Sequence, residues 1–284
     1  MTADTLAIAH GPGLHRGISR TGYLSLDAFG SGRLEWMNVS PLYFKYMLSQ
    51  PAEETAALSL GTALHAAVLE PDVFARQYVL EPLHVAPDNA KPRATKAYRD
   101  AVADITQGGF IVLRQETFDT VKAMAAAVLA HPAAAGLLAK APERELTMIW
   151  NRDGRICRGR ADMLGDGVLG DIKTTRSLKD FSPWTVTKYG YHRQAAHYVD
   201  GLAQLDHPIE HVMFIAVEAS RPYDCGVFAL EPASLSFGHI ENDRLFLKLE
   251  ECERTGEWPG QFPIVTSASV SDAAIATMDD EAVA

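Results

Sequence analysis

An α/β sandwich, with a central mixed β-sheet flanked by helices, is the fold class that this sequence predicts. Three observations carry it. The elements run helix, three strands, helix, two strands, helix, an order that packs as helical layers on a sheet. The stretch "ELTMIWNRDGRICRGRADMLGDGVLGDIKTT", Glu145 to Thr175, alternates apolar and polar residues around two turn signals, Asp153-Gly154 and Asp166-Gly167. That is the pattern of a three-stranded antiparallel meander. Helical spacing brackets it on both sides.

The elements follow in chain order. Residues 1–35 are Gly-rich and are expected to be irregular. Ser40-Pro41 reads as a helix start, with Ser as N-cap and Pro at the first helical position, followed by the aromatic-rich "PLYFKYML". "LGTALHAAVL", Leu60 to Leu69, is apolar almost all round and reads as a buried helix ending before Pro71. "PLHVAPDNAKPRATKAY" reads as loop, and helices are expected at 93–106 and 115–130. After the meander, helical periodicity covers 178–205. Strands follow at "HVMFIAVEA" and "YDCGVFAL", then an amphipathic helix over 232–255. The Ser/Ala/Asp-rich acidic tail, 263–284, is expected to be disordered.

Composition narrows the function. The chain has 284 residues, is 47% hydrophobic and 22% charged, and carries three scattered cysteines, Cys157, Cys225 and Cys252. That spacing argues against a disulfide framework or a cysteine-rich metal site. No run of 18 apolar residues and no basic-then-apolar start is present, so no membrane contact and a cytoplasmic location are expected. Net charge is −10, yet residues 151–193 hold nine Lys/Arg against five Asp. A local basic excess of this kind suits nucleic acid, although a solvated face has the same composition. No G-x-S-x-G elbow or phosphate-binding G-x-x-x-x-G-K-[ST] loop is present.

The last hairpin of the meander carries the chemistry. Asp162 and Asp171 have eight residues between them across the turn, and antiparallel pairing brings such positions together. Two ionised carboxylates held close repel, and a divalent cation removes that cost. Carboxylate and carbonyl oxygens suit Mg²⁺ and Mn²⁺. Strand residues i and i+2 share a face, so Lys173 points with Asp171 while Ile172 points the other way. An ammonium beside a metal-bound water suits phosphodiester cleavage; an Asp–Lys surface pair on an edge strand is the plainer reading. His65 within "TALHAAV" has the surroundings of a core histidine, and Gln194 and Tyr198, four apart, share a helix face as a packing pair would. Arg160 shares the face of Asp162 and suits a phosphate or the acid pair. Thr174 and Thr175 have hydroxyls that suit a phosphate.

Four stretches together resemble the PD-(D/E)XK nucleases, within them the RecB-like branch and most closely the RecE-type exonucleases (exodeoxyribonuclease VIII). "LGTALHAAVLEPDVF" resembles the branch's N-terminal helix, and "GRADM" and "GDIKTT" resemble its two acid-bearing strands. "HRQAAHY" resembles its Gln-x-x-x-Tyr helix. The resemblance implies a restriction-endonuclease-like core over residues 36–262. It implies a metal site of His65, Asp162, Asp171 and the Ile172 carbonyl, with Lys173 as catalytic lysine alongside the two aspartates. Gln194 and Tyr198 then contact the site or the nucleic acid. Glu145 is the expected supporting acid, with Glu143 as rival. Position 171 is Asp where the pattern takes Asp or Glu, and these 284 residues hold no helicase motor and no iron–sulfur cysteine cluster.

The expected activity is Mg²⁺-dependent (or Mn²⁺-dependent) 5′→3′ digestion of linear double-stranded DNA. It leaves 3′ single strands for a strand-annealing partner in phage recombination, and the enzyme is expected to be a ring-like homo-oligomer. The alternatives are a non-catalytic DNA-binding module of the same fold and a structure-specific or nicking endonuclease.

Overall fold

The alternating stretch folds as expected. Glu143–Arg152, Arg155–Gly165 and Val168–Thr175 form three consecutive strands, turned at Asp153-Gly154 and Asp166-Gly167, where all four residues have positive φ. The structure is a computed structural model, and it describes residues 11–50, 56–86, 91–181, 183–262 and 264–268.

In chain order the described elements are β1 (Gly13–His15), α1 (Arg20–Ser25), α2 (Ser31–Val39), α3 (Pro41–Leu48), α4 (Ala56–Leu69), α5 (Pro71–Gln77) and β2 (Tyr78–Leu80). Then come α6 (Lys96–Gln107), β3 (Ile111–Leu113), α7 (Gln115–Ala130), α8 (Pro132–Lys140), β4 (Glu143–Arg152), β5 (Arg155–Gly165) and β6 (Val168–Thr175). The chain continues through α9 (Pro183–Lys188), α10 (Tyr191–Gln204), β7 (His211–Glu218), β8 (Cys225–Ala229) and α11 (Pro232–Thr255).

The main sheet has the order β1-β4-β5-β6-β7-β8. All its neighbours are antiparallel except β6 and β7, which α9 and α10 connect in parallel. The sheet is therefore mixed and mostly antiparallel, as the fold class predicts. β2 and β3 form a separate parallel pair.

Helices cover both faces. On one, Trp150, Phe214, Leu146 and Leu169 pack with Tyr198 and Leu202 of α10, Leu245 and Phe246 of α11, and Met37 of α2. On the other, Ile172, Ile215 and Met163 pack with Leu64 and Val68 of α4, Met124 and Val128 of α7, and Leu137 and Leu138 of α8. Among the described residues no single helix is long and apolar enough to cross a membrane; α7 and α8 reach that length only together, across an 81° bend.

Four differences from the sequence reading stand out. The segment expected to be irregular, 1–35, contributes β1, α1 and the start of α2. Its strand is three residues long and is held by β4 rather than by its own periodicity. The periodicity over 178–205 is broken into a 3₁₀ turn, α9 and α10, with Gly190 at φ +65° before α10. α8 and the β2–β3 pair are not anticipated. Of the tail 263–284, residues 264–268 lack regular structure and the rest lies outside the described residues.

α10 and α11 approach closely because Gly238 has no side chain: a Cβ there lies 2.4 Å from the His192 carbonyl oxygen. Arg193, 4% exposed, closes the same junction by donating to Glu35 of α2 (2.7 Å twice) and to Glu241 of α11 (2.9 Å). Overpacking of this kind costs about 1–3 kcal/mol. We therefore expect Gly238→Ala to lower the melting temperature measured by circular dichroism, and an unchanged melting temperature would refute the tight junction.

Candidate active site and metal centre

The site lies where two strands part. β5 and β6 pair only from Met163–Gly170 to Gly165–Val168. β6 then continues along β7 as far as Thr175–Glu218. β5 instead meets the N-terminal segment: the Phe29 N–H donates to the Ile156 carbonyl (2.8 Å) and the Arg158 N–H to the Phe29 carbonyl (2.9 Å). Asp162 and Asp171 are the first residues beyond the last pair. The fork leaves the peptide groups of Ile172 without a strand partner, and buried peptide groups need one. Side chains supply it. The Ile172 N–H donates to Asp162 Oδ2 at 2.7 Å, and the Ile172 carbonyl lies 2.9 Å from His65 Nε2.

The same opening lets side chains from both helical layers meet. His65 comes from α4, whose small residues Ala63 and Ala66 are buried against its neighbours. Its Nδ1 lies 3.4 Å from Asp162 and 3.7 Å from Glu145. From the opposite layer, Gln194 of α10 accepts from Lys173 Nζ at 2.9 Å and donates to the Tyr198 hydroxyl at 3.4 Å. Gly159 makes room for the Tyr198 ring, since a Cβ there would come within 2.9 Å of it. Lys173 also pairs with Asp171 and sits 4.7 Å from the centre of the Tyr191 ring. These residues line one cleft of about 340 Å³.

Each sequence-predicted residue has a definite place. His65, Glu145, Arg160, Asp162, Asp171, Ile172, Lys173, Thr174, Gln194 and Tyr198 all line the cleft. Glu143 does not: it pairs with Arg16 (2.6 Å). Thr175 is turned to the Ser177 carbonyl (2.9 Å). Arg160 is spent on Glu145 and on the Ile18 carbonyl (2.8 Å), rather than on the Asp162–Asp171 pair. Glu145 faces Asp162 across β4 and β5 at the one position where that ladder skips a pair, with φ +46°. A non-glycine residue held there carries strain, a feature that concentrates at functional sites. The lining also includes Arg20, Tyr23, Thr62 and Tyr191, which the sequence reading misses. Tyr191 precedes the Gln194–Tyr198 pattern by three residues, one helical turn, and that spacing is the one signal that was there to find.

The basic excess over 151–193 is largely spent inside the fold. Arg152 pairs with Asp200 and Asp243, Arg155 with Glu253, and Arg193 with Glu35 and Glu241. Arg158 donates to the Leu26 carbonyl (2.9 Å) and lies over the Tyr23 ring.

Burial and charge order the protons in the cleft. Asp162 and Asp171 are 6% and 8% exposed. Burial works against the Asp162 carboxylate, but the His65 charge, Lys173 and the Ile172 N–H outweigh it and hold Asp162 well below its usual value. For Asp171, burial together with the Asp162 charge overcomes the help of Lys173 and pushes it up to about 7. Burial lowers the affinity of His65 and Lys173 for their protons, but the neighbouring acids win and raise both.

These donors fit a divalent cation. One atom each from His65, Glu145 and Asp162 lie within 4.8 Å of one another. Asp171 and the Ile172 carbonyl stand beside them, and the upward shift of Asp171, caused by burial and then by the Asp162 charge, is one that a cation would oppose. The donors are carboxylates, one imidazole and a peptide oxygen, the set that suits Mg²⁺ or Mn²⁺ rather than a thiol-seeking metal.

Two outcomes follow for the metal-free protein and its metal complex. A carboxyl whose folded-state affinity for protons is raised stabilises the fold fully below its unfolded value, and loses that contribution as pH rises through the folded value. In EDTA, wild type should therefore lose stability relative to Asp171→Asn between about pH 4 and pH 7, and melting curves across that range check it. Adding Mg²⁺ or Mn²⁺ should raise the melting temperature of wild type but not of Asp162→Asn. Equal shifts in the two proteins would remove Asp162 from the metal site.

Comparison with known proteins is consistent with this geometry. No curated protein matches the chain. Among solved structures, a protein from Eubacterium rectale described as a "Putative exonuclease" matches with a TM-score of 0.60 at 13% identity, over 88% of this chain and 92% of that one. A second, described as SSO0001, has a TM-score of 0.29 at 14% identity over 76% and 83% of the two chains, too low to support an argument. The family model of the PDDEXK-like domain of unknown function (DUF3799) matches residues 38–263. With most of its length matched, and with Asp162, Asp171 and Lys173 at one cleft, the chain belongs to this PDDEXK-like family.

Proposed function

We propose that this protein is a divalent-metal-dependent deoxyribonuclease acting as a 5′→3′ exonuclease on linear double-stranded DNA. The observation that carries the reading is the convergence of Asp162, Asp171 and Lys173 with His65 in one cleft. Membership of a PDDEXK-like family supports it, as does the fold shared with the Eubacterium rectale protein described as a "Putative exonuclease". Polarity, the strand-annealing partner, a phage recombination role in the cytoplasm, and a ring-like oligomer rest on the RecE resemblance.

The residues divide the work. His65, Glu145, Asp162, Asp171 and the Ile172 carbonyl would hold Mg²⁺ or Mn²⁺. Such a cation supplies Lewis-acid activation of water and neutralises phosphate charge. Burial lowers the proton affinity of Lys173, but Asp171 and Asp162 outweigh it and raise that affinity above the usual value. As an ammonium it would serve as a positive charge and hydrogen-bond donor toward the attacking water or the scissile phosphate. Gln194, braced by Tyr198, sets the direction of that ammonium. Tyr198 is pushed up to about 12 by burial and the Asp171 charge, so its hydroxyl keeps its proton.

The test uses linear duplex DNA labelled at one 5′ end, with closed circular DNA alongside, in Mg²⁺ or in EDTA. Early release of short labelled product, only from linear DNA and only with metal, is expected. Lys173→Ala should cut at least about 100-fold more slowly, the loss typical of removing one transition-state donor. It should still show the metal-induced rise in melting temperature. A Lys173→Ala protein that cuts as fast as wild type would refute the mechanism. Cleavage of the closed circle would replace the exonuclease with an endonuclease.

A further inference from the structure

A row of aromatic side chains leads out of the cleft from the first residue of α10 back along the segment that joins it to β6. Tyr191 lines the cleft beneath Lys173. Its ring stacks on Tyr189 at 5.7 Å between centres and 25° between planes. Tyr189 is 54% exposed, and Trp184 is 64% exposed. Between the two exposed rings lies Lys188, its ammonium 4.5 Å from the centre of Trp184 and 5.1 Å from that of Tyr189. Lys188 has no ion pair among the described residues, and neither do Arg176 and Lys179, both exposed at the start of the same segment.

Exposed rings grouped around an unpaired cation call for a partner that offers both a flat π-surface and negative charge. A nucleotide offers both. Bases inside a duplex have their faces covered by their neighbours, whereas unpaired bases are free to lie on these rings. We propose that Trp184 and Tyr189, with Lys188 between them, form a stacking platform for unpaired bases of a DNA strand at the cleft. The position deepens the nuclease reading and rests on it: a strand running outward from Lys173 would pass Tyr191 and then the platform. Stacking is tolerant of sequence because every base has a π-face.

The test measures binding of the full chain in EDTA, where cleavage is not in play, to fluorescein-labelled oligothymidylate by anisotropy. An abasic strand of the same length is the comparison. Trp184→Ala and Tyr189→Ala should each weaken oligothymidylate binding roughly 10-fold, within the range for loss of one base-stacking ring. Both should leave abasic-strand binding unchanged. Trp184→Phe should retain most of the affinity, and circular dichroism melts should match wild type.

Equal oligothymidylate affinity of wild type and Trp184→Ala would overturn the platform, as would equal losses on the abasic strand or no binding by wild type. The two readings fail separately. A protein that cuts linear DNA with metal but binds oligothymidylate without need of Trp184 keeps the nuclease and loses the platform. One that shows base-dependent binding through Trp184 but never cuts keeps the platform and loses the nuclease.

Discussion

Everything at the cleft depends on β5 and β6 ceasing to pair after three residue pairs. Had the ladder continued in register, Asp162 would stand directly across from Asp171. Like charges in that position are destabilising, and the burial here would sharpen the penalty. The fork changes the geometry without losing the backbone bonds. The Asp162 carboxylate takes the Ile172 N–H, a His65 ring nitrogen meets the Ile172 carbonyl, and the N-terminal segment takes over the open edge of β5. β6 is held in place meanwhile by eight residue pairs with β7. The strand that carries Asp171 and Lys173 is thus fixed by one neighbour so that it can leave the other.

This arrangement also explains why two identical residue types come to differ. Asp162 accepts a peptide N–H and lies near His65, so its charge is well supported. Asp171 has Lys173 as its main support and suffers the charge of Asp162, so its proton is harder to remove. The asymmetry comes from the neighbouring groups, the His65 charge beside Asp162 first among them, rather than from burial, because the two are almost equally buried. The arginines of β5 take no part in this contest. Arg158 and Arg160 turn toward the carbonyls of Leu26 and Ile18 and tie the N-terminal segment to the strand that carries Asp162.

The sheet and the acid pair were legible in the sequence because both are local. Turn signals at Asp153-Gly154 and Asp166-Gly167 fix the meander, and a spacing of eight residues across a short turn places Asp162 by Asp171. His65, 97 residues before Asp162, is placed by the family resemblance and not by any local pattern. The N-terminal segment was illegible for the opposite reason. Its three-residue strand has no periodicity of its own, and its contacts with Arg158 and Arg160 span more than 130 residues. The basic excess over 151–193 misled in part, since composition cannot tell a cation facing solvent from one paired with Glu253 or Glu241. Broken periodicity at Gly190 concealed the short α9, and with it the exposed Trp184 and Tyr189.

Lys173 shows how these constraints bear on chemistry. A buried lysine without partners loses its proton, because the low-dielectric interior disfavours the ammonium. Lys173 is largely buried, but Asp171, Asp162, the Gln194 carbonyl and the Tyr191 ring surround it and favour the ammonium. It has three N–H donors, and two of them have partners in Asp171 and Gln194. One remains to be aimed. Its direction is set from α10 through Gln194 and Tyr198, while the acids it answers to are set by the strand fork. The helix and the fork belong to different layers of the sandwich, and the ammonium is placed only where both are in position.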